Sequence, residues 1–104
     1  MGKFSRDKGA REERAIVNFH KERGVDAKRV PLSGAAAGFK HDVMIGGLTA
    51  EAKLRKTGFK QIYDWLSGDD QPDILTIRVD GKERIYIMRE SIWIKLLVWA
   101  GIAK

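Results

Sequence analysis

Apolar residues near the start of the chain recur at the spacing of an α-helix. The spacing predicts a helix from Ala10 to about Arg23, and Gly24 stands where a glycine commonly ends a helix. The positions that follow the i, i+3, i+4, i+7 rule are Glu13, Ile16, Val17 and His20. Glu13 is therefore a carboxylate on an apolar stripe, where burial is costly unless the charge is paired or bound to a metal.

Short β-rich runs around glycine-containing turns predict two hairpins. Residues 42–53, DVMIGGLTAEAK, form two predicted strands joined at Gly46-Gly47, and another short strand is expected at residues 28–31. Residues 74–88, ILTIRVDGKERIYIM, form two more, joined by a two-residue turn at Asp80-Gly81. The small residues of SGAAAGFK, residues 33–40, predict a loop whose backbone a ligand could approach closely.

Two later segments return to helical spacing. The first is marked by Phe59, Ile62, Tyr63 and Leu66 and ends in residues 67–72. The second, residues 90–100, carries more apolar surface than an exposed helix leaves in water, so it either covers a core or forms a dimer interface. The order α-β-β-β-α-β-β-α predicts an α/β fold with a central mixed β-sheet flanked by helices. Residues 1–104 are about the size of one domain, so we expect a single domain.

The charge balance indicates a polyanionic partner. Lys and Arg number 20 against 14 Asp and Glu, which gives a formal net charge of +6. Neutralisation of phosphates by such side chains drives most non-specific binding to nucleic acid. Many basic proteins bind no nucleic acid, so charge alone does not decide the partner.

Cysteine content and hydropathy limit the location and the chemistry. The absence of cysteine excludes a disulfide framework and a thiolate nucleophile, and it suits a reducing cytoplasm. The charged start, MGKFSRDKGAREER, lacks the apolar segment of a signal peptide. The longest apolar run, residues 92–103, is interrupted by Lys95 and is shorter than the roughly 20 residues that a membrane span requires. We expect a soluble cytoplasmic protein with no membrane partner.

Two carboxylates and a lysine fall within the first predicted hairpin. Glu51 and Lys53 are two residues apart on a strand, so they project from one face, and Asp42 begins the partner strand. Two carboxylates brought together need a cation between them, and their hard oxygen ligands favour Mg²⁺, or Mn²⁺ in its place. The alternative is that all three are solvated residues on an exposed face, because D-x(n)-E-x-K is short and frequent by chance.

Four blocks occur in order over the first half of the chain. Residues 8–14, KGAREER, have the pattern K-G-x-x-x-E-R, and residues 29–34, RVPLSG, have the pattern R-x-P-x-S-G. Asp42-Val43 and Glu51-Ala52-Lys53 add D-[IV] and E-x-K. In this combination the sequence resembles the PD-(D/E)XK nuclease superfamily, and within it the archaeal-type Holliday junction resolvases. The second half resembles the family only as a generic helix and strands.

The resemblance implies a restriction-endonuclease-like fold and a metal-dependent nuclease. Asp42 and Glu51 would bind the metal, with Glu13 completing or supporting the acidic cluster. Lys53 would orient the attacking water or stabilise charge that develops on the phosphate oxygens. The resemblance places Arg29 and Ser33 against phosphate, and other basic residues would extend the DNA contact, namely Lys8, Arg14, Arg55 and Lys56.

The function expected from these residues is the cutting of four-way or other branched DNA. One chain offers one site, whereas resolution needs two symmetric cuts, so a homodimer is implied. Two alternatives stay open from the sequence: another PD-(D/E)XK endonuclease of nicking, repair or restriction type, and a nucleic-acid-binding module without catalysis. The four residues Glu13, Asp42, Glu51 and Lys53 argue against the binding module, because its surface would gain from losing carboxylates that repel phosphate.

Overall fold

The structure, a computed structural model, describes residues 2–30 and 42–104, with side chains from residue 8 onward. Its elements are α1 (Gly2–Glu22), β1 (Ala27–Arg29), β2 (Val43–Ile45), β3 (Leu48–Ala50), α2 (Lys60–Trp65), β4 (Ile74–Ile77), β5 (Ile85–Met88) and α3 (Glu90–Trp99). This order confirms the predicted α-β-β-β-α-β-β-α sequence of elements and the mixed α/β class. The contacts divide the chain into two compact units, residues 1–55 with 101–104 and residues 56–100. A single nuclease domain over residues 1–104 stays a prediction.

The first helix begins earlier than predicted and ends where expected. It starts at Gly2 instead of Ala10, and Gly24 follows its end with φ 79°. The N–H of Gly24 donates to the carbonyl of Lys21 at 3.0 Å, and the N–H of Val25 donates to the carbonyl of His20 at 2.9 Å. This is the pattern by which a left-handed residue satisfies the last carbonyls of a helix, and glycine adopts that conformation without strain.

Three antiparallel strands and α1 enclose the core of the first unit. The strand order is β1-β2-β3, with Arg29 opposite Val43 and Val43 opposite Ala50. Gly46 and Gly47 form the β2–β3 turn with φ of 55° and 87°, as this tight hairpin requires. The core cluster consists of Val17, Ala27 and Val43 with Ile16, Ile45 and Ala50 packed against it. The helical spacing and the strand alternation thus bury one face of each element.

The second unit contains α2, a β4–β5 hairpin and α3. The strands pair antiparallel from Ile74 opposite Met88 to Ile77 opposite Ile85. The guanidinium of Arg89, which precedes α3, donates to the carbonyl oxygens of Leu66 at 2.8 Å and Pro72 at 3.3 Å. Arg89 therefore ties the residues that follow α2 to the start of α3.

Two details of the predicted sheet differ from the structure. Asp80-Gly81 forms a turn, with the N–H of Lys82 donating to the carbonyl of Val79 at 2.9 Å, but the loop between the strands spans residues 78–84 instead of two residues. The strands that the structure describes pair only antiparallel and in two sheets, so they do not form the single central mixed sheet. Parallel pairing needs a long crossover, and the long connection through α2 joins strands of different sheets. None of the helices in the described part of the chain has the length and apolar character to span a membrane.

Candidate active site

The β2–β3 hairpin brings Asp42 beside the segment that carries Glu51. The backbone N–H of Asp42 donates to the carbonyl of Ala50 at 3.1 Å, and its Oδ2 accepts a hydrogen bond from the N–H of Ala52 at 2.8 Å. Asp42 is thus bonded to the residues immediately before and after Glu51. Because a hydrogen bond to a charged carboxylate is among the stronger ones, it fixes this half-buried side chain at the edge of the sheet.

Glu51 and Lys53 lie just beyond the strand in which they were predicted. Strand β3 ends at Ala50, so the alternation of a paired strand does not strictly govern these two residues. Their side chains nevertheless meet, with Lys53 Nζ 3.4 Å from Glu51 Oε2, and both are about half exposed. The structure therefore places Asp42 beside the two residues that flank Glu51, and it places Lys53 in contact with Glu51.

Glu13 and Arg29, which the sequence analysis assigned to metal and to phosphate, contact each other. Arg29 Nε donates to Glu13 Oε1 at 3.0 Å, and the two side chains are 19% (Glu13) and 40% (Arg29) exposed. The strand partner of Arg29 is Val43, which belongs to the core under α1, so Arg29 points toward the helix that carries Glu13. The packing of one face of α1 against one face of the sheet thus forms an ion pair that no short sequence motif predicts.

The carboxylate oxygens of Asp42 and Glu51 are suitable ligands for a hard divalent cation. The carboxylates of Asp42 and Glu51 offer oxygen ligands, and one hydrogen bond from Ala52 leaves Asp42 with further lone pairs. Mg²⁺ commonly takes only one or two protein carboxylates together with waters and phosphate oxygens. Within residues 2–30 and 42–104, no group of three His, Cys, Asp or Glu side chains is placed to hold a metal ion. The role of Glu13 as a third acidic group stays a prediction.

A cleft of about 300 Å³ lies between residues of the first sequence block, K-G-x-x-x-E-R, and residues of the last, E-x-K. Its walls are Lys8, Gly9 and Glu12 of α1 and the segment 52–55 that follows β3. Lys53 lines this cleft and also contacts Glu51, so the cleft adjoins the carboxylate. Three cations, Lys8, Lys53 and Arg55, face one carboxylate, Glu12, which makes the cleft suitable for an anion.

Two other predicted DNA contacts, Arg14 and Lys56, are not among the described residues that line this cleft. Arg14 is exposed on α1, and Lys56 is exposed in the second unit. Ser33 and the loop of residues 33–40 lie outside the described residues. Glu12 was not predicted from the sequence, because an acid beside Glu13 carries no pattern that would place it in a cleft. The N–H of Ala52 was not predicted either, since a backbone donor has no residue signature.

Residues 4–48 match the family model of archaeal Holliday junction resolvase (hjc). The resemblance to the archaeal-type Holliday junction resolvases is confirmed over these residues. At the level of this family, the match supports a nuclease of the Holliday junction resolvase type. The matched residues include Glu13, Arg29 and Asp42 and stop before Glu51 and Lys53. No curated protein and no solved structure matches the chain.

Proposed function

We propose that this protein is a metal-dependent, structure-selective DNA endonuclease that resolves four-way junctions. The observation that carries the proposal is the match of residues 4–48 to the resolvase family, with Glu13, Arg29 and Asp42 in the matched blocks. The contacts of Asp42 on either side of Glu51 support it, because they place the E-x-K block beside the matched Asp. A restriction-endonuclease-like fold and a cytoplasmic location belong to the same proposal.

The carboxylates of Asp42 and Glu51 would hold the metal, with Glu13 supporting the acidic cluster. Mg²⁺ is the ion that their oxygen donors favour, and Mn²⁺ would substitute for it. When bound, the ion supplies an activated water and stabilises charge on the phosphate oxygens. The hydrogen bond from Ala52 to Asp42 keeps that carboxylate in place before a substrate arrives.

Lys53 and Arg29 supply the positive charge that the substrate needs. Lys53 contacts Glu51, which supports a role for its ammonium group at the site, where it would orient water or stabilise the phosphate that is being cut. Arg29 contacts Glu13 through its Nε, and a guanidinium has five N–H donors. Its terminal nitrogens would bind the DNA backbone, as Ser33 would.

Two symmetric cuts require two copies of the site, so the proposed enzyme is a homodimer. Helix α3 supports this assembly, because Trp99 is 73% exposed and Val98 is 45% exposed on it. Exposed tryptophan is costly in water and is enriched at protein interfaces. A nicking, repair or restriction endonuclease with the same ligands is the alternative that substrate profiling separates from a resolvase.

The variants Asp42→Asn and Glu51→Gln test the proposed site. The amide side chain of the Asp42→Asn variant keeps an oxygen that can accept the hydrogen bond from Ala52, so the local structure is preserved while the charge that holds the ion is removed. Cleavage in Mg²⁺ should fall by orders of magnitude in both variants. Junction binding in a chelator should equal or exceed that of the parent, because the removed charge repels phosphate. Retained cleavage in both variants would overturn the site assignment.

A further inference from the structure

The cleft between α1 and the segment after β3 has the chemistry of a phosphate site. Three of the four described charged side chains that line it are cationic, Lys8, Lys53 and Arg55, and the fourth is Glu12; Lys53 also pairs with Glu51. No aromatic side chain is among its described lining residues, so a base finds no ring on which to stack. A volume of about 300 Å³ is enough for one backbone phosphate with its sugar.

We propose that this cleft seats a DNA backbone phosphate that neighbours the phosphate being cut. The inference rests on the proposed nuclease function and specifies how that site holds its substrate strand. Lys53 is the structural link, because it lines the cleft and lies 3.4 Å from Glu51. A strand with one phosphate at the carboxylates would therefore place a neighbouring phosphate between Lys8 and Arg55. Contacts of this kind fix the register of the strand and read no base sequence.

Glu12 weakens this phosphate site. Its carboxylate lines the same cleft as the three cations, so it repels a bound phosphate and competes for the cations. Glu12→Gln should therefore bind junction DNA more tightly than the parent. A gain in affinity is informative, because misfolding of the variant cannot produce it.

Binding of a synthetic four-way junction in the presence of a chelator distinguishes a specific contact in this cleft from the non-specific effect of net positive charge. Lys8→Gln and Arg55→Gln should each lower junction affinity about threefold. Each should also reduce the salt slope, which is the slope of log binding constant against log salt concentration, by about 0.9, the contribution of one phosphate contact. The control is Lys21→Gln, which removes the same charge from an exposed position of α1 outside the cleft. It should change affinity less and leave the salt slope nearly unchanged. Equal effects of Lys21→Gln and Lys8→Gln would overturn the cleft site.

A scan with neutral methylphosphonates then identifies the phosphate itself. One uncharged linkage is placed at each position near the cut, and the junction affinity of the parent is compared with that of the Lys8→Gln/Arg55→Gln double variant. A single position close to the cut should weaken the parent and have little effect on the double variant. Equal losses in both proteins at every position would overturn the proposal while leaving the nuclease function standing. A parent that does not bind the junction would overturn both.

Discussion

The ion pair between Glu13 and Arg29 can be tested by a double-mutant cycle on stability. The variants are Glu13→Ala, Arg29→Ala and the pair together, each unfolded in urea, because Glu13→Gln would keep an oxygen that can accept from Arg29. One N–H joins the groups at 3.0 Å, and the Glu13 side chain is only 19% exposed, whereas Arg29 is 40% exposed. Exposed pairs contribute about 0.2 to 1 kcal/mol, and the shielding of Glu13 places this pair near the upper end, at about 1 kcal/mol after screening by solvent.

The control for this cycle is Glu12→Ala combined with Arg29→Ala. Glu12 is adjacent in sequence and carries the same charge, but it lines the cleft with Lys8. Its coupling to Arg29 should be close to zero. A coupling of Glu13 and Arg29 below about 0.2 kcal/mol, or one equal to that of Glu12 and Arg29, would refute the pairing as a stabilising contact.

Further expected outcomes concern DNA binding and the core of the first unit. Arg29→Ala should weaken junction binding and lower its salt slope by about 0.9, and an unchanged slope would argue against a backbone contact. Gly24→Ala should cost about 1 to 2 kcal/mol in thermal unfolding because φ is 79°, whereas the flexible Lys104 side chain, 2.9 Å from the added Cβ, can move aside. Gly9→Ala is its control, since nothing lies within 4 Å of the added Cβ and α1 should gain about 0.5 to 1 kcal/mol. Val43→Ala, at a side chain with 0% exposure, should cost about 2 kcal/mol in urea unfolding, and a loss below about 0.5 kcal/mol would contradict its place in the core.

The spacing of apolar residues and the turn glycines predicted the helices and strands, because these features act within each helix or hairpin. The helical spacing through Val17 and the left-handed position of Gly24 fix the face and the end of α1. The positive φ angles of Gly46 and Gly47 fix the first hairpin, since few other residues adopt them. The start of α1 was predicted too late, because its first residues are polar and carry no apolar repeat.

Contacts between distant residues were not predictable in the same way. Glu13 and Arg29 are 16 residues apart, and their contact follows from which faces of α1 and β1 pack together. The division into two antiparallel sheets likewise depends on which distant strands pair. Turn residues predict only the pairing of the two strands that they join. The neighbourhood of Asp42 and Glu51 was expected, because a tight hairpin fixes its own register.

Cleavage of a synthetic four-way junction, compared with a linear duplex of the same sequence, tests the central claim most directly. With Mg²⁺ present, the protein should cut two opposing strands of the junction at symmetric positions and leave the duplex intact, and a chelator should abolish the cuts. Equal cutting of the junction and the duplex would contradict a resolvase and leave a nuclease. No cutting of either at high protein concentration, despite tight binding, would contradict the enzyme and favour a binding module.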